Sequence, residues 1–512
     1  MPEHDTENCE AVFGRPSCSK LMELIGFVTW RSQITNPIVA AAYNMGLCVR
    51  SKKMPHLGRF ETARPAGHLT SKMVRIGFMA RRFLRMDRRA LMAGFGATSL
   101  GLLLPGRSAA QGYRPVAIQA RRDALKLLQA GPETPVWMLA APELRFRQGD
   151  GLQVEFANEL TVPVGLDWRG IDGLPAIELL ISRRLLAAAG WEKIQIPLRH
   201  AGTFLCDMSV LANQSALPAR GQPVVVAESE PVSVDRDETL LVEEWRLRAD
   251  GTAAVPGTDA EETAVSWTLN GKASLDVPAR SNERLRLRFI NGSRRTVIAL
   301  KLESVDVTVM AIDSQPAEPF PARNGALVLA PGSRVDAFVD VTAPPSSNLK
   351  IFLHEGRQAR TLGFIIVSHE VPARAAPLPP PPPLPSNGLP ARLDLKNALR
   401  ADLALNGPEW TVIANLAASP KPAFRAKAGR IVVLALTNRA EVATVFRLHG
   451  HHFRLLDRLD DGWKPFWLDT LAIEPGQTQR IAFAAEHAGH WLIESVATDW
   501  AAPRFVRWYA VD

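Results

Sequence analysis

The sequence predicts an all-β protein of three β-sandwich domains behind an N-terminal export signal. Three observations carry this. Apolar and polar residues alternate with period two through most of residues 135–512, and helical spacing is nearly absent. One proline-rich stretch divides the chain, and one strand plan recurs three times. The 512 residues are also too many for one hydrophobic core, and at roughly 150 residues per domain about three domains are expected.

The N-terminal 110 residues carry the basic charge. They hold 16 Lys+Arg and 7 Asp+Glu, a net of +9 against +8 for the whole chain, so the remainder is close to neutral. Basicity confined in this way argues against a nucleic-acid partner. The stretch MDRRALMAGFGATSLGLLLPGRSAAQ starts at Met86. Arg88 and Arg89 precede a short apolar run, Ala90–Leu104, and Ser108, Ala109 and Ala110 are small residues suited to cleavage. That is the pattern of a twin-arginine signal, which implies export to the periplasm. The run is too short to cross about 30 Å of hydrocarbon, so no membrane span is expected in the mature protein. Residues 1–85 show no clear periodicity, and the start, Met1 or Met86, stays open. Of Cys9, Cys18, Cys48 and Cys206, only the last lies beyond the signal, so the mature chain is expected to form no internal disulfide. An exported chain of this size can bury enough core without one.

The elements follow in order. Arg121–Leu128 is the one short helical exception. Leu144 and Phe146, a turn at Gly149–Gly151, then Leu152, Val154 and Phe156 read as a hairpin. Cys206 lies in the strand-like GTFLCDMS and reads as a small buried hydrophobe. Further on, Leu285, Leu287 and Phe289 share one strand face, and Arg284, Arg286 and Arg288 share the other. Residues 372–390, PARAAPLPPPPPLPSNGLP without a ladder donor at any proline, read as an extended polyproline-like connector. With a further break near Val232–Thr239, the expected domains are 111–235, 236–371 and 391–512. The recurring plan is a short strand, a polar turn, an apolar-alternating strand and an Asn; its copies end at Asn158, Asn291 and Asn438. In the stretch TVFRLHGHHFRLL, strand alternation would put one of His451 and His452 inside and the other outside. Trp168 is expected in a core.

At this point the chain resembles the three-domain multicopper oxidases, which are built from cupredoxin-like Greek-key β-sandwiches. The resemblance runs through LQVEFANELTVPVGLDWRG, AGTFLCDMS, LNGKASLDVPARSNERLRLRFINGS, LAPGSRVDAFVDV, FRLHGHHFRLL and GHWLIESVATDWAAPRFVRWYAV, in the family's order. The family's chemistry uses four coppers held by ten His and one Cys. The mature chain has eight His: His200, His354, His369, His449, His451, His452, His487 and His490. Carried over position by position, the trinuclear copper positions fall on Asp167, Arg169, Asp207, Ser209, Arg447, His449, Glu494 and Val496. The positions of the electron-accepting copper fall on Thr444, Ser495 (where the Cys should be), Trp500 and the axial Phe505. Only His449 retains the family's ligand type, and serine does not replace a thiolate.

The resemblance therefore implies a degenerate, copper-free member. We expect a salt-bridge network of carboxylates and arginines in place of the trinuclear cluster, because buried charges are normally paired. A largely apolar plug is expected at Thr444, Ser495, Trp500 and Phe505. No catalytic residue and no cofactor are expected. The pattern is similar to that of the SufI-type proteins, which are associated with cell division and envelope integrity. It implies a scaffold or binding role with a periplasmic or envelope protein partner. Three alternatives stay open. The first is an oxidoreductase that retains copper in an altered site. The second is a divalent ion at Asp167, Asp207, Glu494 and His449. The third is acid–base chemistry at the carboxylate–arginine cleft.

Overall fold

Alternating apolar residues that fill one face of a strand need a second sheet to cover them. The computed structural model meets that need three times over. It describes residues 112–512 apart from 129–130, 212–216, 356–357, 419–420 and 458–461. The twin-arginine segment and residues 1–85 lie outside the described residues. The described residues are all-β, as expected, with six sheets of four to six strands arranged as three consecutive cupredoxin-like sandwiches. Among the described residues no helix is long and apolar enough to cross a membrane.

The sequence repeat is a repeat of topology. Strands Gly151–Asn158, Glu283–Asn291 and Arg430–Asn438 each pair in parallel with the first long strand of their own sandwich: Tyr113–Leu125, Arg236–Leu247 and Leu399–Leu405. The short strand before each one, Leu144–Arg147, Leu275–Ala279 or Arg425–Ala426, pairs in parallel with the sandwich's last strand. The closing Asn does the same work in each copy. Asn158 Nδ2 donates to Val162 O and Leu186 O, and its Oδ1 accepts from Leu160 N. Asn291 bonds Thr296 O, Leu329 O and Ser293 N, and Asn438 bonds Val442 O, Ile473 O and Ala440 N. The side chain thus turns the backbone out of the strand and ties down nearby backbone groups.

Two expectations about local structure are overturned. Arg121–Leu128 is not helical: residues through Leu125 extend a strand that pairs with Thr134–Ala140, for example Arg121 opposite Met138. Ladder pairing with the neighbouring strand outweighs local helical spacing. Leu144–Arg147 and Gly151–Asn158 are not a hairpin either. The first pairs with Gln222–Ala227 and the second with Tyr113–Leu125, in opposite sheets. The turn between them crosses the sandwich, with Gly149 at φ +94° and its N–H donating to Leu198 O.

Leu285, Leu287 and Phe289 are fully buried in a core that runs on into the third sandwich, where the rings of Phe320 and Phe466 lie 6.4 Å apart. The first sandwich has a core of its own, which includes Trp168 and Cys206. The arginine face of Glu283–Asn291 is buried too. Arg286 grips Glu228 with both Nη atoms (2.8 and 2.9 Å), and its Nη2 reaches Asp336 at 2.6 Å. Arg288 holds Asp237 at 2.6 and 2.7 Å and donates to Thr203 Oγ1 of the first sandwich at 2.8 Å. Arg284 holds Asp340 and donates to Pro379 O of the connector at 2.8 Å. The connector, residues 372–390, joins no sheet and is docked along its length. Leu384 packs with Met310 and Phe338, and the Asn387 amide bonds both the N–H and the C=O of Ala201.

Candidate functional site

Two adjacent strands of the first sandwich, Val164–Arg169 and Gly202–Val210, place Asp167 directly opposite Asp207. Like charges so placed repel unless cations intervene. In the third sandwich Arg447 stands opposite Glu494, and Val496 opposite Arg504. Period-two alternation puts Asp167 with Arg169, Asp207 with Ser209, and Glu494 with Val496 on shared faces. The two sets meet where the sandwiches touch.

The Arg447 guanidinium crosses the gap and binds Asp167 with two bonds of 2.5 and 3.0 Å, and its Nη1 also lies 3.6 Å from Glu494. Arg169 Nε sits 3.4 Å from Asp207 and 3.7 Å from Asp167. Arg294, from the second sandwich, forms a close pair with Asp207. Arg504 pairs with Glu494 and donates to Ser209 Oγ at 3.2 Å. His449 completes the network, with Nδ1 2.9 Å from Glu178 and Nε2 2.9 Å from Glu494. Burial and the Arg447 charge oppose protonation of His449, but Glu178 and Glu494 outweigh them and push its pKa up to about 9. Burial would raise the Asp167 carboxyl, but Arg447 and Arg169 hold it well below the usual carboxylate range. Glu494 is depressed likewise, against its burial, chiefly by Arg504 and His449.

A second polar node joins all three sandwiches. Arg334 of the second binds Asp469 of the third with two bonds of 3.1 and 2.7 Å and donates to Thr203 O of the first at 3.3 Å. His452 forms a close pair with Asp172 of the first sandwich and donates from Nε2 to Asp313 O of the second at 2.6 Å. Desolvation opposes the charged ring, but Asp172 brings its pKa up to about 9. His451 and His452 are both buried, so the expected in-and-out alternation does not hold. The strand ends at Leu448, Gly450 turns at φ +75° against the Trp491 ring, and period two stops there. His451 lies among Tyr509, Trp491 and His487 with Nδ1 2.7 Å from Tyr509 Oη, and burial lowers its pKa to about 3.

Thr444 and Ser495 are buried and meet through Asn406, whose Nδ2 donates to Thr444 Oγ1 at 3.3 Å and whose Oδ1 accepts from Ser495 Oγ at 2.8 Å. Phe505 is half-buried and lies opposite Ser495 in the neighbouring strand. Trp500 packs under the Arg246 guanidinium of the second sandwich, 5.2 Å from ring centre to cation. The centre of the expected apolar plug is therefore a polar, hydrogen-bonded trio, and Trp500 belongs to the cleft between sandwiches. Glu178, Asp172, Arg294, Arg504 and the Arg334–Asp469 pair were not legible as site residues. None stands at a ligand position implied by the resemblance, and each reaches the junction from a separate strand or loop.

The donor set does not fit copper. An arginine offers no lone pair to a metal, and Arg447 already fills the junction. Both His449 nitrogens are engaged by carboxylates, which fixes the ring as a proton donor. Ser495 donates to Asn406, and the thiol of Cys206 sits in the core of the first sandwich, where burial raises its pKa. Among the described residues no group of three or more His, Cys, Asp or Glu side chains is arranged to hold a metal ion.

Comparison with known proteins bears on this site. Multicopper oxidase domain families match residues 237–365 and 390–512. Copper resistance protein A of Pseudomonas syringae pv. tomato is 24% identical over 327 residues, which cover 53% of this chain and 51% of that protein. Multicopper oxidase MmcO of Mycobacterium tuberculosis is 22% identical over 412 residues, covering 69% and 78%. The match thus spans about half the length of the first relative. The crystal structure of a multicopper oxidase from Pseudomonas thermotolerans superposes with a TM-score of 0.69 at 24% identity, over 79% of this chain and 100% of that one. Residues 237–365 and 390–512 therefore match multicopper oxidase domains, and the fold of the described chain is the cupredoxin fold of that family's structures.

Proposed function

We propose that this protein is a copper-free multicopper-oxidase-like protein, exported to the periplasm by its twin-arginine segment, that acts as a scaffold or binding protein for an envelope protein partner. In this reading Asp167, Arg169, Asp207, Ser209, Arg447, His449, Glu494 and Val496 stand at former trinuclear copper positions. Thr444, Ser495, Trp500 and Phe505 stand at those of the electron-accepting copper. The observation that supports it is the two-bond Arg447–Asp167 pair, a fixed positive charge at what this reading takes as a former metal position. Ion pairing across the junction preserves the docking of the sandwiches without redox chemistry. The family match itself favours the second reading, an oxidoreductase with copper in an altered site.

Purified mature protein, incubated with excess copper and desalted, separates the two. The proposal expects less than stoichiometric copper and none of the intense visible absorption of a copper–thiolate centre. Stoichiometric copper with that absorption would refute it.

A further inference from the structure

A cleft of about 310 Å³ opens where the three sandwiches meet, and its charges do not balance. Its walls carry six arginines (Arg169, Arg220, Arg294, Arg295, Arg447 and Arg504) against four carboxylates, Asp207, Glu243, Glu244 and Glu494. Counting Asp167 and Arg246, which pair with wall residues, leaves the excess at two positive charges. Five of the six arginines have a carboxylate partner: Arg220 holds Glu243, and the other four share Asp167, Asp207 and Glu494. The sixth, Arg295, has no carboxylate within ion-pair distance among the described residues. Its Nη atoms donate to the backbone oxygens of Arg294 (2.9 Å) and Ala502 (3.0 Å). Its Nε and the Trp500 Nε1, both buried, have no acceptor. Burial with Arg504 and Arg294 nearby, against weaker help from Asp499, lowers its pKa to about 10. A buried guanidinium that repels its neighbours and lacks a counter-charge is an incomplete arrangement. Leu205, Leu241, Trp245, Val445 and Trp500 supply an apolar part of the wall, and Ser209, Asn291 and Ser293 line it too.

We infer that this cleft binds a small organic anion, a carboxylate or phosphate on an apolar body, with Arg295 as its principal charge partner. Guanidinium geometry suits both oxyanions, and a cavity of this size lies at the lower end of ligand sites, roughly 300–1,000 Å³. The inference rests on the copper-free binding-protein reading, since bound copper would alter the charge of the same walls.

The test uses full mature protein of measured copper content. Sodium benzoate, phenyl phosphate and the neutral benzyl alcohol are titrated and followed calorimetrically. At least one anion should bind tighter than benzyl alcohol by about ten- to a hundredfold, the span of one charge-assisted hydrogen bond. Arg295→Met should abolish that preference. Ala414→Phe, at an exposed position on the cleft wall, should weaken binding without touching a buried charge and serves if the first variant does not fold. Equal affinity for anion and alcohol, no anion binding, selectivity that survives Arg295→Met, or anion affinity unchanged by Ala414→Phe would overturn the site. Stoichiometric copper in the same sample would instead overturn the functional reading beneath it.

Discussion

The Arg447–Asp167 pair gives a quantitative test of the junction. Both side chains are nearly inaccessible, 6% and 7% exposed. Arg447→Met keeps most of the side-chain volume and removes the charge. Glu494 would retain Arg504 and His449. Asp167 would be left with only Arg169 Nε at 3.7 Å. Orphaning one member of a buried pair costs about 3–5 kcal/mol. With a denaturant slope of about 1–3 kcal/mol per molar in urea, that is a midpoint shift on the order of 1 M or more. Arg114–Asp150 is the internal control, because its arginine side chain is 62% exposed. Arg114→Met should cost no more than about 1 kcal/mol. The double variant Asp167→Leu with Arg447→Met should recover most of the loss, since replacing both partners by apolar groups removes the orphaned charge. Tryptophan fluorescence in urea at neutral pH reads all four proteins. An Arg447→Met midpoint no lower than that of Arg114→Met would refute the claim that the junction is held by desolvated ion pairs.

Two further outcomes follow from the same contacts. His449 and His452 have folded pKa values raised to about 9, above the 6.5 of a free imidazole. The folded state then binds more protons than the unfolded one, so their stabilisation is complete below pH 6.5 and is lost as pH rises through 9. The thermal midpoint should fall between pH 7 and 9.5, and a variant with both residues changed to Gln should show a flatter profile; an unchanged slope contradicts the assignment. Asn438→Ala removes bonds to Val442 O, Ile473 O and Ala440 N at the end of a buried strand. It should cost about 1–3 kcal/mol in urea unfolding, the range for leaving buried polar groups unsatisfied.

The fold was legible because two-residue periodicity and the recurring Asn are local signals. Each records which face is buried and where a strand must end. Pairing partners were not legible, since Leu144–Arg147 and Gly151–Asn158 look like a hairpin at any distance shorter than the 80 residues that separate Leu144 from its true partner Val224. The same limit applies to the site. Asp167, Asp207, Arg447, His449 and Glu494 could be named from the family resemblance, and the structure brings them to one junction. Arg504, Glu178 and Asp172 stand at none of the ligand positions that the resemblance implies, so it does not single them out. The burial of Arg286 and Arg288 was hidden for another reason. Alternating Arg and Leu on one strand is equally the signature of a solvated face, and only the first sandwich lying across it decides the matter.

Three sandwiches built on one plan face a problem of self-recognition, because similar edges and similar faces could dock in more than one way. The apolar core does little to prevent this; it already runs uninterrupted from the second sandwich into the third. The ion pairs differ at each contact. Arg447 of the third sandwich takes Asp167 of the first, Arg334 of the second takes Asp469 of the third, and Arg286 of the second takes Glu228. A misdocked arrangement would bury these charges without partners, at several kcal/mol for each ion. Buried ion pairs that add little net stability in the correct arrangement can therefore still select it. On this view the carboxylates and arginines at the junction do structurally what shared metal ligands do in a copper-bearing protein, tying the first sandwich to the third. The cleft they leave between the sandwiches, with Arg295 unmatched on its wall, is the part of the junction that docking alone does not account for.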